Sequence, residues 1–315
     1  MNLYMPVYKQ LEDEVASLTN TIFFNDAQQN VYSLSIGNII VRCAMEIEAI
    51  SKELYILLGG EEHPIDQQTK EKRNLYFDTD CIRLLIDTWQ LDKKIIQITH
   101  PSMYFSKEKS TIKPLHKAHK RGNSGSKWKQ AYQGIKHNRS QEISRATVEN
   151  MINALGALYI LNLYYVDESF WFGTPIEARR EFTIDSKIFT PVVCDTRKVG
   201  ISLTTNPNAI QSLGNPTLEE SIFILKYTDH AYKAMHKTLC ELILSAISLS
   251  ANQISKKTDA NQLLSVISAA SEKLIRQDAL NVKNNMEELK HQEVILNKNS
   301  EVYPMLSMEE FLQSH

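Results

Sequence analysis

Apolar residues recur three and four positions apart over most of this chain, a period that predicts helices. Val7, Leu11, Val15 and Leu18 mark a short amphipathic helix over residues 6–26. Leu34, Ile40, Val41, Ala44, Ile47, Ile50 and Leu54 keep one face apolar over 31–58, and Gly59-Gly60 supplies the stop. After a polar stretch at 61–74, another helix is predicted from about Asp80 to Leu91. Residues 94–105 are richer in β-branched and aromatic side chains, which predicts an extended segment. The clearest helical pattern covers 141–166, where Val148, Met151, Ile152, Leu155, Leu158, Tyr159 and Asn162 track one face.

The pattern then fails. Pro175, Pro191, Pro207 and Pro216 punctuate residues 167–216, and only short strands such as Ile188 to Cys194 fit there. It resumes at Thr217-Leu218-Glu219-Glu220, which has the spacing of a capping box. Met235, Leu239, Leu242, Ala246 and Leu249, then Leu263, Val266, Ile267, Ala270 and Leu274, predict two long helices joined at Lys256 to Asp259. A connection that short favours an antiparallel hairpin, and the charged continuation reads as helix to about Ile295. The expected fold is mainly α in three parts: a helical domain over 1–166, an irregular connecting segment over 167–216 with short strands, and a C-terminal helical hairpin over 217–315.

Composition changes this picture little. Ten Gly and nine Pro in 315 residues suit helices better than a many-turned β fold. Cys43, Cys81, Cys194 and Cys240 contain no CxxC pair, so they read as thiols in a reducing compartment rather than disulfides or a zinc site. The most apolar stretch, 154–166, is too short to span a bilayer, and the N-terminus lacks the features of a signal peptide. The expectation is a cytoplasmic protein with no membrane partner. No phosphate-binding glycine loop, dinucleotide fingerprint, GxSxG or HExxH occurs, so no cofactor is expected. His116 and His119 have a metal-ligand spacing but no carboxylate or cysteine beside them, so no metal is expected either.

Charge changes more. The net charge is only −2, yet residues 107–139 hold ten Lys and Arg against the single acid Glu108. Such a segment can neutralise nucleic-acid phosphates, or it can be a solvated loop or dock on an acidic protein. Within it, Trp128-Lys-Gln-Ala-Tyr132-Gln-Gly-Ile-Lys136-His137-Asn138-Arg139 leads into Arg145-Ala-Thr and an apolar helix. Lys127, Lys129 and Lys136 are candidates to hold an RNA backbone. Trp128 and Tyr132 can stack bases or, four residues apart, anchor a core.

That combination of Trp, Tyr, Lys-His-x-Arg, Ala-Thr and a helix of the type Asn-Ala-Leu-x-Ala-Leu resembles bacterial HEPN-type proteins. Arg42, Glu46, Glu48 and Lys52-Glu53 also resemble the first long helix of such domains, and the likeness spans roughly residues 30–166. The resemblance implies a helical up-and-down bundle, often dimeric, and a metal-independent endoribonuclease acting in defence or growth arrest. Its usual site places His after Arg, whereas here His137 precedes Arg139. A catalytic set of His137 as proton carrier, Arg139 on the phosphate and Glu46 as orienting carboxylate is chemically suited to cleavage through the 2′-hydroxyl. The alternative is a catalytically inactive interaction module that binds RNA or a partner protein, with the C-terminal helices forming a dimer or complex. His137 and Arg139 would diverge by about 200° on a regular helix. A joint role therefore requires a loop or a helix start at 136–139.

Overall fold

A computed structural model describes residues 3–66, 68–167, 170–171, 185–196, 217–228 and 292–298. Of the helical hairpin expected over 217–315, residues 229–291 and 299–315, and any pairing through them, lie outside these residues. The first helix, α1 (Tyr4–Leu18), is shorter than the sequence pattern predicts and is followed by a two-residue strand, β1 (Phe24–Asn25). The long α2 (Leu34–Leu57) begins at Ser33, whose hydroxyl accepts from the Ile36 amide at 3.2 Å. A π-helical turn at Phe77–Ile82 runs directly into α3 (Arg83–Trp89). The extended segment is split into β2 (Ile96–Ile98) and β3 (Met103–Tyr104), followed by one helical turn, α4 (Lys107–Ser110), and β4 (Thr111–Ile112).

The helix predicted over 141–166 begins seven residues late, at Val148, and residues 141–142 belong to a preceding helix. The structure has α5 (Lys127–Glu142), a 3₁₀ turn at Ile143–Arg145, and α6 (Val148–Val166). Thr147 is the reason for the restart: its hydroxyl caps α6 by accepting from the Asn150 amide at 3.2 Å. Every residue of α6 from Met151 to Tyr164 except the partly exposed Asn153 is buried. This helix is the centre of the core, lying against α2, α1 and α5.

Described parts of the connecting segment join this core rather than standing apart. Strand β6 (Phe189–Pro191) pairs antiparallel with β2, whose other edge takes β4. The buried Glu12 carboxylate receives the Tyr8 hydroxyl at 2.8 Å, the Ser186 hydroxyl, and the amides of Lys187 and Ile188 at 2.9 and 3.2 Å. A second sheet orders β5 (Phe170–Trp171), β9 (Gln292–Leu296), β8 (Phe223–Tyr227) and β7 (Val193–Asp195). Two expectations fail here. Residues after the Thr217 capping box form a turn and then β8, and the predicted helix end near Ile295 is β9. Phe-Ile-Leu-Lys-Tyr and Gln-Glu-Val-Ile-Leu are short apolar runs rich in β-formers. Their antiparallel pairing, Phe223 opposite Leu296, outweighs the local helical pattern.

Lys94 is fully buried, and its ammonium has no hydrogen-bond partner among the described residues. Burial, opposed by the charge of Glu219, pushes its pKa down from 10.5 to about 8. Between those values the unfolded chain binds the proton that the folded chain has lost. Stability is therefore expected to rise with pH from about 8 to 10.5, by at most roughly 1.4 kcal/mol per pH unit. Urea unfolding across that range checks this, and Lys94→Met is expected to flatten the rise.

Candidate nucleic-acid interface

Two successive residues at the start of α5 fix the basic loop. Trp128 is buried, and its indole N–H donates to the Pro114 carbonyl at 2.8 Å. Lys129 is buried too. Its ammonium donates to Asp78 at 3.1 Å, to the Ala118 carbonyl at 2.8 Å, and to the Lys120 carbonyl. Gly125 closes the loop: a Cβ there would lie 2.5 Å from the Lys120 carbonyl oxygen, so only glycine fits the approach.

The loop so held surrounds a cleft of about 620 Å³. Lys113, Lys117, Lys120, Lys127 and His116 line it, and Glu149 is the one acid among the described residues of its lining. All four lysines are exposed. Lys113 pairs with Glu220 at 2.8 Å and Lys127 with Glu149 at 3.7 Å, while Lys117 and Lys120 make no ion pair among the described residues.

This geometry corrects several expected contacts. Lys129, Trp128 and Tyr132 are 4%, 2% and 3% exposed, so they pack beneath the loop and offer no open face for the expected RNA contact. Lys127 and Lys136 are exposed, but Lys136 turns to Tyr132, donating to its hydroxyl at 3.3 Å with the ammonium 5.2 Å from the ring centre. The lysines that gather at the cleft with Lys127 come instead from the loop, at 113, 117 and 120.

Beneath the loop lies Asp78, on the π-helical turn, a local geometry common at functional sites. Arg121 grips both its oxygens at 2.8 to 3.1 Å while lying 4.3 Å over the Tyr76 ring. Arg73 binds the neighbouring Asp80 in the same bidentate way at 2.6 and 2.8 Å. Burial acts against charge on Asp78, but the Arg121 hydrogen bonds and the Lys129 charge outweigh it and hold the carboxyl below its usual range. Arg73, ahead of burial, does the same for Asp80. Both folded pKa values are depressed, so their contribution is present above the ordinary value of 3.8 and lost as pH falls through the folded ones. Acid unfolding followed by circular dichroism is expected to begin only below about pH 4.

Further along, α5 breaks at Asn138 (φ −148°, ψ 69°), between His137 and Arg139. After the break the chain folds back, so that a Cβ on Gly134 would lie 3.1 Å from the Glu142 Cβ. The break supplies the irregular backbone that a joint role for His137 and Arg139 requires, but it does not bring them together. His137 is exposed in a cleft of about 310 Å³ with Gln133, Glu142 and Arg145. Arg139 lies outside that lining and donates to Asn38 at 3.2 Å. The arginine that lines the same cleft as His137 is Arg145, ion-paired with Glu142.

Glu46 does not join them. Its charge bears on Tyr4 and Cys43, whose ionisation it disfavours, on the side of α2 toward α1. Glu48, two residues on and so about 200° around the helix, is the carboxylate facing α5. It lines an adjoining cleft of about 450 Å³ with Lys52, Asp78, Arg121, Lys129 and Gln133. Among the described residues, no group of three or more His, Cys, Asp and Glu could hold a metal ion, and no helix is long and apolar enough to cross a membrane. The sequence matches no family model, no curated protein and no solved structure.

Proposed function

We propose that this protein binds RNA, with the phosphate backbone held in the lysine cleft at the start of α5. The observation that carries this reading is the convergence of Lys113, Lys117, Lys120 and Lys127 on one cleft, with Glu149 as the one acid among the described residues that line it. Cations gathered in this way attract a polyanion with a strongly salt-dependent affinity. The resemblance of residues 30–166 to HEPN-type proteins supports RNA as that polyanion, and the buried free thiols of Cys43 and Cys81 suit a reducing, cytoplasmic setting. Reversing Lys117 and Lys120 to Glu is expected to abolish binding of single-stranded RNA in a gel-shift assay while leaving the fold intact. Glu149→Gln is expected to tighten binding, because it removes a repulsive charge from the cleft lining. Normal binding by the Lys117→Glu, Lys120→Glu variant would refute the reading.

A second reading, metal-independent RNA cleavage, is favoured by the break at Asn138 and by the open cleft that the exposed His137 lines together with Arg145. His137 would move the proton of a 2′-hydroxyl, and Arg145 would stabilise charge on the phosphorane. In this reading His137→Ala and Arg145→Ala each lose cleavage measured in EDTA, by about 100-fold or more. Arg139→Ala, which removes only the bond to Asn38, is expected to retain most of it. Cleavage that depends on Arg139 and not on Arg145 would reject this assignment.

A further inference from the structure

The cleft that Glu48 lines is one end of a longer groove. It shares Gly122, Lys129 and Gln133 with the His137 cleft, which in turn shares Asn123 and Gln130 with the lysine cleft. A strand bound by the lysines can therefore continue along α5 into it. At about 450 Å³ it has room for a nucleotide. Its lining differs from that of the lysine cleft. Tyr76 and Phe77 supply carbon surface, Arg121 and Lys52 supply exposed cations, and Glu48 and Asp78 are the acids among its described residues.

Two of these side chains suit a flat ligand that forms hydrogen bonds. Arg121 is fixed in place: both Asp78 oxygens accept its N–H groups, and its guanidinium lies 4.3 Å from the Tyr76 ring centre. The arginine side chain is nonetheless 51% exposed, so a guanidinium held in one orientation stays accessible at the cleft. Nucleobases stack on such planes. Glu48 is the acceptor. Asp78 is taken up by Arg121, Lys129 and the Thr79 amide, whereas Glu48 makes no ion pair among the described residues. The Tyr132 hydroxyl, kept protonated by burial and by the Glu48 charge, fills one of the roughly four acceptor positions of that carboxylate. Lys52 follows one turn later on the same face of α2 and lines the same cleft.

A base read by this pair must offer N–H groups to the carboxylate and a carbonyl oxygen to the ammonium. Guanine presents that edge, with N1–H and N2–H side by side and O6 next to them. Adenine and cytosine place a ring-nitrogen acceptor beside the amino group, and uracil flanks its N–H with carbonyls, so each sets an acceptor against the carboxylate.

We infer that this cleft is a pocket for guanine, stacked on Arg121, with N1–H and N2–H donated to Glu48 and O6 facing Lys52. The inference rests on the RNA-binding reading and adds a sequence preference to it, because lysines on phosphates alone do not distinguish bases. A guanine within RNA and a free guanine nucleotide offer the same edge.

Short oligouridines carrying one central guanine, inosine or adenine test it in fluorescence-anisotropy titrations. The guanine strand is expected to bind about tenfold more tightly than the adenine strand, with inosine, which lacks the N2 amine, between them. Glu48→Gln sets an N–H where a carboxylate oxygen accepted, so the three strands are expected to converge to within about twofold. Affinity for plain oligouridine should stay the same or rise slightly, since a negative charge is removed; a merely structural Glu48 would move all strands alike. Arg121→Lys keeps a charge against Asp78 but loses the plane, and is expected to weaken the guanine strand about tenfold more than plain oligouridine. Equal affinities for the guanine and adenine strands in the wild type overturn the pocket, and so does a guanine preference that survives Glu48→Gln. Should the wild type bind no RNA, that reading fails by itself, and guanosine 5′-monophosphate decides the pocket. A saturable rise in melting temperature with this nucleotide but not with adenosine 5′-monophosphate, lost in Glu48→Gln, assigns the pocket to a free guanine nucleotide. No rise in the wild type overturns it.

Discussion

Replacing Asp78 with alanine is expected to destabilise the protein by about 3–5 kcal/mol, more than any other single substitution in this chain proposed above. The Lys129 side chain is 5% exposed and Asp78 is 9% exposed. Without Asp78, the ammonium would remain buried with only the Ala118 and Lys120 carbonyls as partners. A buried charge stripped of its counter-ion loses far more than the pair contributes when intact, because desolvation is no longer offset. Lys129→Met should cost less, since Arg121 still neutralises Asp78 from the solvent side. The double change Asp78→Leu, Lys129→Met should recover much of the loss. Urea unfolding of the three variants checks the order. Equal losses in both single variants would mean that Arg121 contributes nothing. Because Lys129 also holds the loop carbonyls, Asp78→Ala is further expected to loosen the lysine cleft, with faster amide exchange around 115–125 at a temperature where the rest stays folded.

Neutralising Lys113, Lys117, Lys120 and Lys127 together to Gln is expected to lower RNA affinity by about 100-fold or more near physiological salt. The plot of log affinity against log salt should become shallower by about 0.7 for each phosphate of a single strand that the variant no longer neutralises. Lys117 and Lys120 are expected to dominate, because Lys113 and Lys127 already face Glu220 and Glu149. The exposed lysines carry no buried hydrogen bond, so the variant should melt near the wild-type temperature. The same four changes therefore separate binding from stability, which Asp78→Ala does not.

The helical half of the fold is legible from periodicity because α2 and α6 bury apolar stripes that repeat every three to four residues. The break between α5 and α6 is harder to see, since Gln141 to Ala146 continue a helical composition, and only Thr147 with its side-chain cap marks the restart. Strands β8 and β9 escape a local reading because each is five residues long and gains its stability from a partner about seventy positions away in sequence. At the site, the basic character of 107–139 is plain, but not which cations face outward. Lys129 and Lys127 look equivalent in the sequence. Their places two residues apart on α5 put one under the loop and the other at the cleft. Arg145 is hidden for a similar reason: its place in the cleft that His137 lines follows the non-helical backbone of Asn138, which no residue pattern announces.

The most direct test of the central claim is the affinity of the wild-type protein for a single-stranded RNA, titrated across salt concentration. Binding is expected to weaken linearly on a log–log plot, with a slope of magnitude about 2 or more, because several lysines displace counterions from phosphates. No binding at low salt, or binding whose affinity is indifferent to salt, would contradict it.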